Sequence, residues 1–360
     1  MLFQTFLVSL LLVPLNAWED KKQCMDYIQN LGYHCTKRHH IYNGTNTKVY
    51  EVNKGGETFM MKVTKLDMHA YNELSVLLRL KETKYVPELF AHKTTDTAMV
   101  LVLTNGNYSN LLVAMKEKSE FQDMTFILKF FAKIVEGVDL IHKAKYSHND
   151  LRPENILVTK SLDPLIIDFD ITVPLDTNAK GQGYPIFISP ENLLAIENEE
   201  LVFYDEKTDI FSLGALLYLM VIGDTPVRSA PKYENYLSAE IVFPKTIPLI
   251  ISEIIQGCYT IKENRINMVT LKKKIEKALS PRALSIPGVE YRYKMDSLKK
   301  FGEDFFFLKY KNLIFIFLAF LVLGGISFAV FKNWDKLNKI DVGVEIKEKK
   351  KKDIETPMDE

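Results

Sequence analysis

"YSHNDLRPENILV", residues 146–158, places one carboxylate two residues after a histidine and an asparagine five residues after that carboxylate. An apolar run follows immediately, so the polar positions stand at the edge of a buried element. Carboxylate and amide oxygens are ligands that magnesium accepts in proteins, commonly together with phosphate oxygens. The segment therefore predicts a loop suited to holding magnesium and phosphate.

The composition is that of a globular chain with no excess charge. It has 360 residues, of which 47% are hydrophobic, so it can bury one large core or two modest ones. Lys and Arg together number 46, as do Asp and Glu. No global charge points to nucleic acid, and we expect no nucleic-acid partner.

The first residues indicate export. An apolar run over 2–15 is followed by the small residue Ala17 and a charged stretch. This pattern is typical of a cleavable signal peptide, which we assign to residues 1–17. The alternative is a buried N-terminal helix, against which Pro14 and the abrupt change to charged residues argue.

A second apolar segment, "LIFIFLAFLVLGGISFAVF", lies at 313–331 and contains no charged residue. At about 1.5 Å per residue it can cross a hydrocarbon core of about 30 Å, so it predicts a transmembrane helix. The tail 332–360 contains the lysine-rich run 347–352, which favours the cytosolic side. We therefore expect a single-pass membrane protein whose residues 18–312 are lumenal or extracellular.

Between these segments the hydrophobic pattern changes once. From about 38 to 104, β-rich runs alternate with turn signals and are interrupted by one amphipathic helix over 69–82. After about 110 helical patterns dominate, and a helix predicted over 126–144 leads into the loop quoted above. We expect an α+β fold with a small β-rich lobe, a larger helical lobe and a ligand cleft at their junction.

Three cysteines are too few for a disulfide framework, so the fold must depend on its core. Cys24 and Cys35 could pair in an oxidising compartment or remain two unpaired thiols. Cys258 is expected to pack in a helix.

The quoted loop is one of several motifs that occur in a known order. "HNDLRPENILV" (148–158) is followed by "DFD" (168–170), "SPE" (189–191) and "DIFSLG" (209–214). Their order and separations resemble the signature set of the eukaryotic protein kinases. The resemblance covers about residues 38–278 and implies a two-lobed protein kinase-like fold. It also implies an enzyme that uses ATP and Mg²⁺ to phosphorylate a protein hydroxyl, with Ser and Thr favoured over Tyr. The apolar segment at 313–331 predicts that this enzyme is tethered to a membrane.

The expected domain order follows from these assignments. It comprises a signal peptide (1–17), an N-terminal extension (18–37), the kinase-like domain (38–278), a juxtamembrane linker (279–312), one C-terminal transmembrane helix (313–331) and a Lys-rich tail (332–360).

Four residues of the helical lobe match the catalytic machinery of the family. The resemblance implies that Asp150 accepts the proton of the substrate hydroxyl. It implies that Arg152, where many members have Lys, contacts the γ-phosphate. Asn155 and Asp168 match the residues that hold magnesium.

The β-rich lobe supplies the remaining matches. Lys62 in "FMMKV" matches the strand lysine that reaches the α- and β-phosphates, and Glu73 on the next helix matches its ion-pair partner. In the glycine-rich loop, Gly44 is the one expected glycine present, while Tyr42 and Thr47 stand at the other two positions. Glycine lets backbone amides approach phosphate, so we expect a weaker grip on the nucleotide.

Three more positions depart from the family pattern. Asp170 replaces the glycine of the Asp-Phe-Gly motif and puts a further carboxylate beside the metal site. The resemblance places the activation segment at 168–191. Asn149 replaces the Arg that would bind this segment when it is phosphorylated, so control by such a phosphate is not expected. Tyr184 stands where many serine/threonine kinases have Thr.

Two further matches imply structural roles in the helical lobe. Glu191 is expected to pair with Arg265 in a buried ion pair. Asp209 is expected to brace the catalytic loop.

Two other functions remain open at this stage. A catalytically impaired pseudokinase, acting as a binding or scaffolding module, is favoured by the eroded glycine loop and by Asp170. The motif "HND", with an acidic residue after "DF", also resembles small-molecule kinases of the choline and aminoglycoside type. The later helical-lobe motifs argue against that function. Two glycosylation sequons, at 43–45 and 107–109, lie in the segment expected to be lumenal.

Overall fold

In the computed structural model of the chain, the structure describes residues 16–36, 42–43, 46–105, 108–184, 186–226, 241–280 and 284. The predicted signal peptide lies outside these ranges except for its last two residues. Gly44, the predicted transmembrane helix at 313–331 and the tail at 332–360 also lie outside them. Within the described ranges, no helix is both long enough and apolar enough to cross a bilayer.

The smaller lobe is built on an antiparallel sheet of six strands. Five of them follow the order β1-β3-β4-β6-β5, and β2 pairs with the N-terminal half of β3. Its elements are α1 (Asn16–Asn30), β1 (His34–Cys35), β2 (Tyr42–Asn43), β3 (Thr47–Lys54), β4 (Glu57–Lys65), α2 (Met68–Arg79), β5 (Leu89–Thr94) and β6 (Ala98–Thr104). The predicted β-rich lobe with one intervening helix is confirmed.

Strand β4 is the centre of this sheet. Because β3 and β6 cover both of its edges, Lys62 lies in mid-ladder, opposite Val49 and Leu101. Helix α2 begins where the Asp67 side chain accepts a hydrogen bond of 2.9 Å from the Ala70 amide, which satisfies a free N–H of the first turn. The ladder and the cap together determine where the β4 lysine and the α2 side chains lie.

Helix α1 was not predicted, since the sequence analysis treated 18–37 as an extension without assigned structure. Cys24 and Ile28, one turn apart, are buried against the sheet in a cluster with Tyr33 and Phe59. Six apolar residues among fifteen give little periodic signal, and burial against the sheet stabilises the helix instead. Cys24 is buried whereas Cys35 is exposed, and no disulfide joins them.

The larger lobe is mainly helical, as predicted. Its elements are β7 (Ser109–Asn110), α3 (Leu111–Glu117), a 3₁₀ turn (Ser119–Gln122), α4 (Met124–Lys143), β8 (Tyr146–Ser147), a 3₁₀ turn (Pro153–Asn155), β9 (Ile156–Val158), β10 (Pro164–Ile166), β11 (Val173–Pro174), β12 (Thr177–Lys180), α5 (Pro190–Glu197), β13 (Leu201–Tyr204), α6 (Glu206–Ile222), α7 (Leu249–Cys258) and α8 (Met268–Ala278). A short three-stranded antiparallel sheet, β7-β9-β10, and two antiparallel pairs, β8-β11 and β12-β13, lie among these helices.

Helix α6 forms the core of this lobe. Its residues from Thr208 to Val221 are all buried, and it ends at Gly223, whose φ of 78° lies in the left-handed region that glycine adopts without strain. A helix that is buried on every side needs no polar face. Because the whole helix lies in the interior, its charged residue Asp209 is buried as well.

The predicted ion pair between Glu191 and Arg265 is confirmed. The two guanidinium nitrogens lie 2.7 and 2.9 Å from the two carboxylate oxygens, and Arg265 also donates to the carbonyls of Thr260 and Lys207. Burial would raise the pKa of Glu191, but hydrogen bonds from Arg265 lower it. A bidentate pair with its remaining donors satisfied joins α5 to the end of the lobe.

Replacing Arg265 with Ala leaves a buried carboxylate unpaired and is expected to lower the free energy of unfolding by about 3–5 kcal/mol. Urea denaturation at pH 7 measures this. Because the pKa of Glu191 is lowered on folding, the pair stabilises the fold above the unfolded pKa of about 4.3 and loses this effect as the pH falls further. The difference between wild type and variant should therefore shrink in acid. Lys274→Ala, at a partly exposed pair with Glu253, is the control and should change stability by less than about 1 kcal/mol.

Candidate active site

An ion-pair triad joins the two lobes. The Lys62 ammonium lies 2.8 Å from Glu73 Oε1 and 2.9 Å from Asp168 Oδ1. Burial alone would lower the pKa of Lys62, but the two carboxylates outweigh it and hold that pKa above its usual value. The carboxylates of α2 and of the segment after β10 thus meet at the Lys62 ammonium on β4, which stays charged.

The backbone of Asp168 is unusual. Its φ is 72°, in the left-handed region that residues with a side chain rarely adopt. The preceding residue is fixed on both sides, because the Ile167 amide donates to Asn155 O at 3.0 Å and its carbonyl accepts from His148 Nε2 at 3.1 Å. Such a conformation persists where its surroundings determine it, which is a common feature of functional sites.

Asp209 braces the catalytic loop, as predicted. Its carboxylate accepts hydrogen bonds from the amides of His148 and Asn149 at 2.8 and 2.9 Å, and from His142 Nε2 at 2.8 Å. Burial would raise the pKa of Asp209, but the bonds from His142 lower it. The loop is therefore held from below by an ionised group on the buried helix α6.

Asp150 is held by two neighbours. Asn155 Nδ2 donates to Asp150 Oδ2 at 2.7 Å and to its carbonyl at 2.9 Å, and Arg152 Nε lies 3.2 Å from Oδ2. Burial raises the pKa of Asp150, while the Arg152 charge opposes this. A carboxylate with a raised pKa is a better proton acceptor than a solvated one.

Arg152 also contacts Tyr184 in the activation segment. The centre of its guanidinium lies 4.9 Å from the centroid of the Tyr184 ring, within the range of a cation–π interaction. The residue that departs from the expected Thr is therefore packed against the group beside Asp150.

Asn149 has a different role from the Arg that it replaces. Its Nδ2 donates to Ile171 O at 3.0 Å, and its Oδ1 accepts from Ser147 Oγ at 2.7 Å. Its φ of 68° suits asparagine, which tolerates the left-handed region better than most residues. Both ends of the amide are therefore occupied within the protein, and the position offers no cation for a phosphate.

Asp170 lies close to the triad. Burial raises the pKa of its carboxyl group, and the charge of Asp168 raises it further. Its backbone carbonyl lies 3.1 Å from His69 Nδ1 and 3.2 Å from Asn72 Nδ2, both on α2. The motif with aspartate in place of glycine is thus tied to the same helix that carries Glu73.

The site residues suit magnesium and a nucleotide. In the described part of the chain, no three His, Cys, Asp or Glu side chains form a metal cluster. Magnesium is commonly bound by one or two side chains together with phosphate oxygens and water. Asp168 is about a third exposed, and Asn155 commits its amide nitrogen to Asp150, which leaves the amide oxygen for a cation.

The profile of the protein kinase domain matches residues 35–279, which is more than half of the chain. The chain belongs to the protein kinase family. Members of this family use ATP and Mg²⁺, in agreement with the triad and the Asp150–Asn155 pair.

Several kinases are similar to this one over most of the domain. Protein kinase 2 of Dictyostelium discoideum is 29% identical over 61% of this chain and 48% of its own length. A probable cAMP-dependent protein kinase catalytic subunit of Encephalitozoon cuniculi is 26% identical over 52% and 57%, respectively. A probable serine/threonine-protein kinase of D. discoideum is 24% identical over 62% and 17%. The matched region thus spans between 17% and 57% of the length of these relatives.

The structure brings together all the described residues that the sequence selected for the kinase site: Lys62, Glu73, Asp150, Arg152, Asn155 and Asp168. Gly44 lies outside the described residues. Asn72, whose amide contacts the activation segment, was not predicted from the sequence. The one signal in the sequence is that Asn72 directly precedes Glu73. A single asparagine on a helix turn that is expected to be exposed does not indicate such a contact.

Both ends of the Asn149 amide are bonded within the protein, and this leads to a prediction about regulation. With no guanidinium at this position, a phosphorylated activation segment has no bidentate partner there. Phosphatase treatment should therefore leave the rate of phosphoryl transfer within about twofold, whereas about 1.4 kcal/mol of lost stabilisation would lower it tenfold. Steady-state assays before and after treatment, with phosphate content followed by mass spectrometry, measure this. A tenfold loss on dephosphorylation would contradict it.

Proposed function

We propose that this protein is an active kinase that transfers the γ-phosphoryl group of ATP to a protein hydroxyl. The observation that carries the proposal is the assembled triad of Lys62, Glu73 and Asp168, next to an Asp150 carboxylate held by Asn155. Phosphoryl transfer needs positioned charges more than covalent participation by the protein. In this conformation the triad charges are already in contact with one another, and Asp150 is in contact with Arg152.

Each residue would contribute to a different part of the transfer. Lys62 would bind the α- and β-phosphates while Glu73 holds its ammonium in place. Asp150 would accept the proton of the attacking hydroxyl, and Arg152 would stabilise charge on the transferred group. Asp168 and Asn155 would hold magnesium, which when bound neutralises charge on the phosphates.

We propose Ser and Thr as the acceptor residues. One of the relatives above is named a probable serine/threonine-protein kinase. Tyr184, at the position of the expected Thr, stacks on Arg152.

The structure offers support for a second candidate function, a nucleotide-binding module without turnover. Asp170 places an additional acidic group beside Asp168 and the pKa of its carboxyl is raised. A carboxylate at this point would repel the phosphates if it ionised without a metal. The two candidates differ in turnover and agree in nucleotide binding. A small-molecule kinase is not favoured, because the Glu191–Arg265 pair is one of the protein-kinase features.

We also propose that the kinase domain is tethered to a membrane by residues 313–331 and faces a lumen or the cell exterior. The support is the uncharged apolar segment, the lysine-rich run that follows it, the apolar run at the N-terminus and the two sequons.

The first prediction from this function separates catalysis from binding. Asp150→Asn removes the proton acceptor and should lower kcat by about 10²- to 10⁴-fold, with the affinity for Mg-ATP changed by less than about threefold. Asp168→Ala should instead weaken Mg-ATP binding by about tenfold or more, because it removes a metal ligand. Kinase assays and calorimetric titrations measure the two effects.

The control for these variants is Asp163→Asn, which alters a carboxylate paired with Lys133 at the surface and should preserve both quantities. Equal turnover with and without Asp150 would refute its assignment. Mg-ATP binding by the wild type with no transfer to any peptide would favour the binding module.

A second prediction tests the topology. If residues 18–312 face a lumen, Asn107 should carry a glycan, and glycosidase treatment should lower the apparent mass of the protein produced in eukaryotic cells. Asn43 is expected to be largely unmodified in an active kinase, because the family resemblance places it in the glycine-rich loop, where a bulky glycan would hinder nucleotide binding. Site-by-site mass spectrometry with Asn107→Gln as the matched control measures this. No glycan at either sequon would contradict the lumenal topology.

A further inference from the structure

The start of the activation segment is held by two asparagine amides from opposite sides. Asn72 Nδ2, on α2, lies within hydrogen-bonding distance of three carbonyl oxygens, and Asn149 Nδ2, in the catalytic loop, donates to a fourth at 3.0 Å. The three oxygens near Asn72 are those of Phe169 at 3.4 Å, Asp170 at 3.2 Å and Thr172. The two N–H groups of Asn72 are thus shared among three carbonyl oxygens, and the fourth, that of Ile171, accepts from Asn149.

Asn72 is the residue directly before Glu73. Because Glu73 pairs with Lys62 and Lys62 pairs with Asp168, the amide closes a ring of contacts between α2 and the activation segment. A shift of the segment away from α2 would break the Asn72 bonds and the Lys62–Asp168 pair together. The position of the Asp168 carboxylate is thus coupled to the hydrogen bonds of the uncharged Asn72 amide.

The middle of the activation segment is held at a second place. Strands β12 and β13 pair antiparallel, with Thr177 to Lys180 opposite Tyr204 to Leu201. The wholly buried Tyr204 donates from its hydroxyl to Lys180 O at 2.9 Å and accepts from the Gln182 amide at 3.1 Å. Its own carbonyl accepts from the Asp176 amide at 2.9 Å.

An apolar cluster supports this second attachment. Tyr204 packs with Val173, Ala195 and Val202 in a small core of its own, which Ala179 covers in part. The attachment thus combines a strand ladder, a buried hydroxyl and apolar burial, and none of these needs an added charge.

We infer that Asn72 and Tyr204 are positioning residues that keep the activation segment in its transfer-competent conformation in place of a phosphate. The inference rests on the proposed function, and it goes further by naming the groups that replace phosphate. In kinases regulated through this segment, a phosphate orders the segment by pairing with Arg. Here neutral donors on α2 and β13 occupy the segment's carbonyls.

The first experiment uses Asn72→Asp in the full-length protein. This change keeps the shape of the side chain, removes its N–H donors and faces a carboxylate to the segment carbonyls. We expect at least tenfold weaker Mg-ATP binding, with adenosine affinity unchanged, because only the phosphate and metal contacts depend on the segment. Amide hydrogen exchange across 168–175 should accelerate at least tenfold.

Asn72→Gln restores an amide donor on a longer side chain and should recover part of the Mg-ATP affinity, which a purely structural defect would not. Asn198→Ala, at an exposed position following α5, is the matched control and should alter none of these quantities. Unchanged hydrogen exchange and Mg-ATP affinity in Asn72→Asp would overturn the role of Asn72.

The second experiment uses Tyr204→Phe, which removes one oxygen and leaves the ring in its apolar cluster. Hydrogen exchange at 176–183 should accelerate at least fivefold while exchange in α6 stays unchanged. Tyr27→Phe, on α1 far along the chain from this segment, is its control. No change in exchange at 176–183 would overturn the role of Tyr204.

These readouts separate the inference from the proposed function. If the wild type binds Mg-ATP but transfers no phosphate, the proposed function fails, while exchange and Mg-ATP affinity still test the two residues. If phosphatase treatment of the wild type accelerates exchange over 168–183 as much as the variants do, a phosphate holds the segment and the inference is wrong.

Discussion

The Lys62 ammonium is the interaction on which the site depends. It stands in mid-strand on β4, contacts Glu73 and Asp168 within 2.9 Å, and so ties the sheet, helix α2 and the activation segment to one point. Bringing Lys62 and Glu73 out of water, with Asp168 partly so, is costly for each buried ion. Their mutual attraction offsets that cost only in this close arrangement, so the triad indicates a lobe arrangement selected by function more than by stability.

The larger lobe meets the triad through buried charges of its own. Asp209, on a helix buried on all sides, fixes the backbone amides of His148 and Asn149, which sets the direction of Asp150. The Glu191–Arg265 pair anchors the far end of the activation segment. Each of these groups is fully hydrogen-bonded, which is the condition under which a buried charge gives specificity without a large loss of stability.

Motif order made the kinase fold and the site residues from Lys62 to Asp168 predictable, because each carries a charge or an amide that the chemistry requires at a fixed place. Strand β4 and helices α2 and α4 were predictable from periodicity, although Leu78 of α2 is exposed while Leu74 and Leu77 are buried. Helix α1 and the β12–β13 pair were not, because their stability comes from tertiary contacts and not from local pattern. Asn72 was missed for a related reason: a lone amide becomes informative only when its acceptors are known.

Transfer of phosphate by the full-length, unphosphorylated protein to a mixed peptide library tests the central claim most directly. With Mg²⁺ and ATP present, the assembled site should phosphorylate Ser- and Thr-containing peptides in preference to Tyr-containing ones, and mass spectrometry should show far less product in the Asp150→Asn reaction. Saturable Mg-ATP binding with no phosphopeptide above the Asp150→Asn background would contradict the claim that this arrangement of charges is a working kinase site.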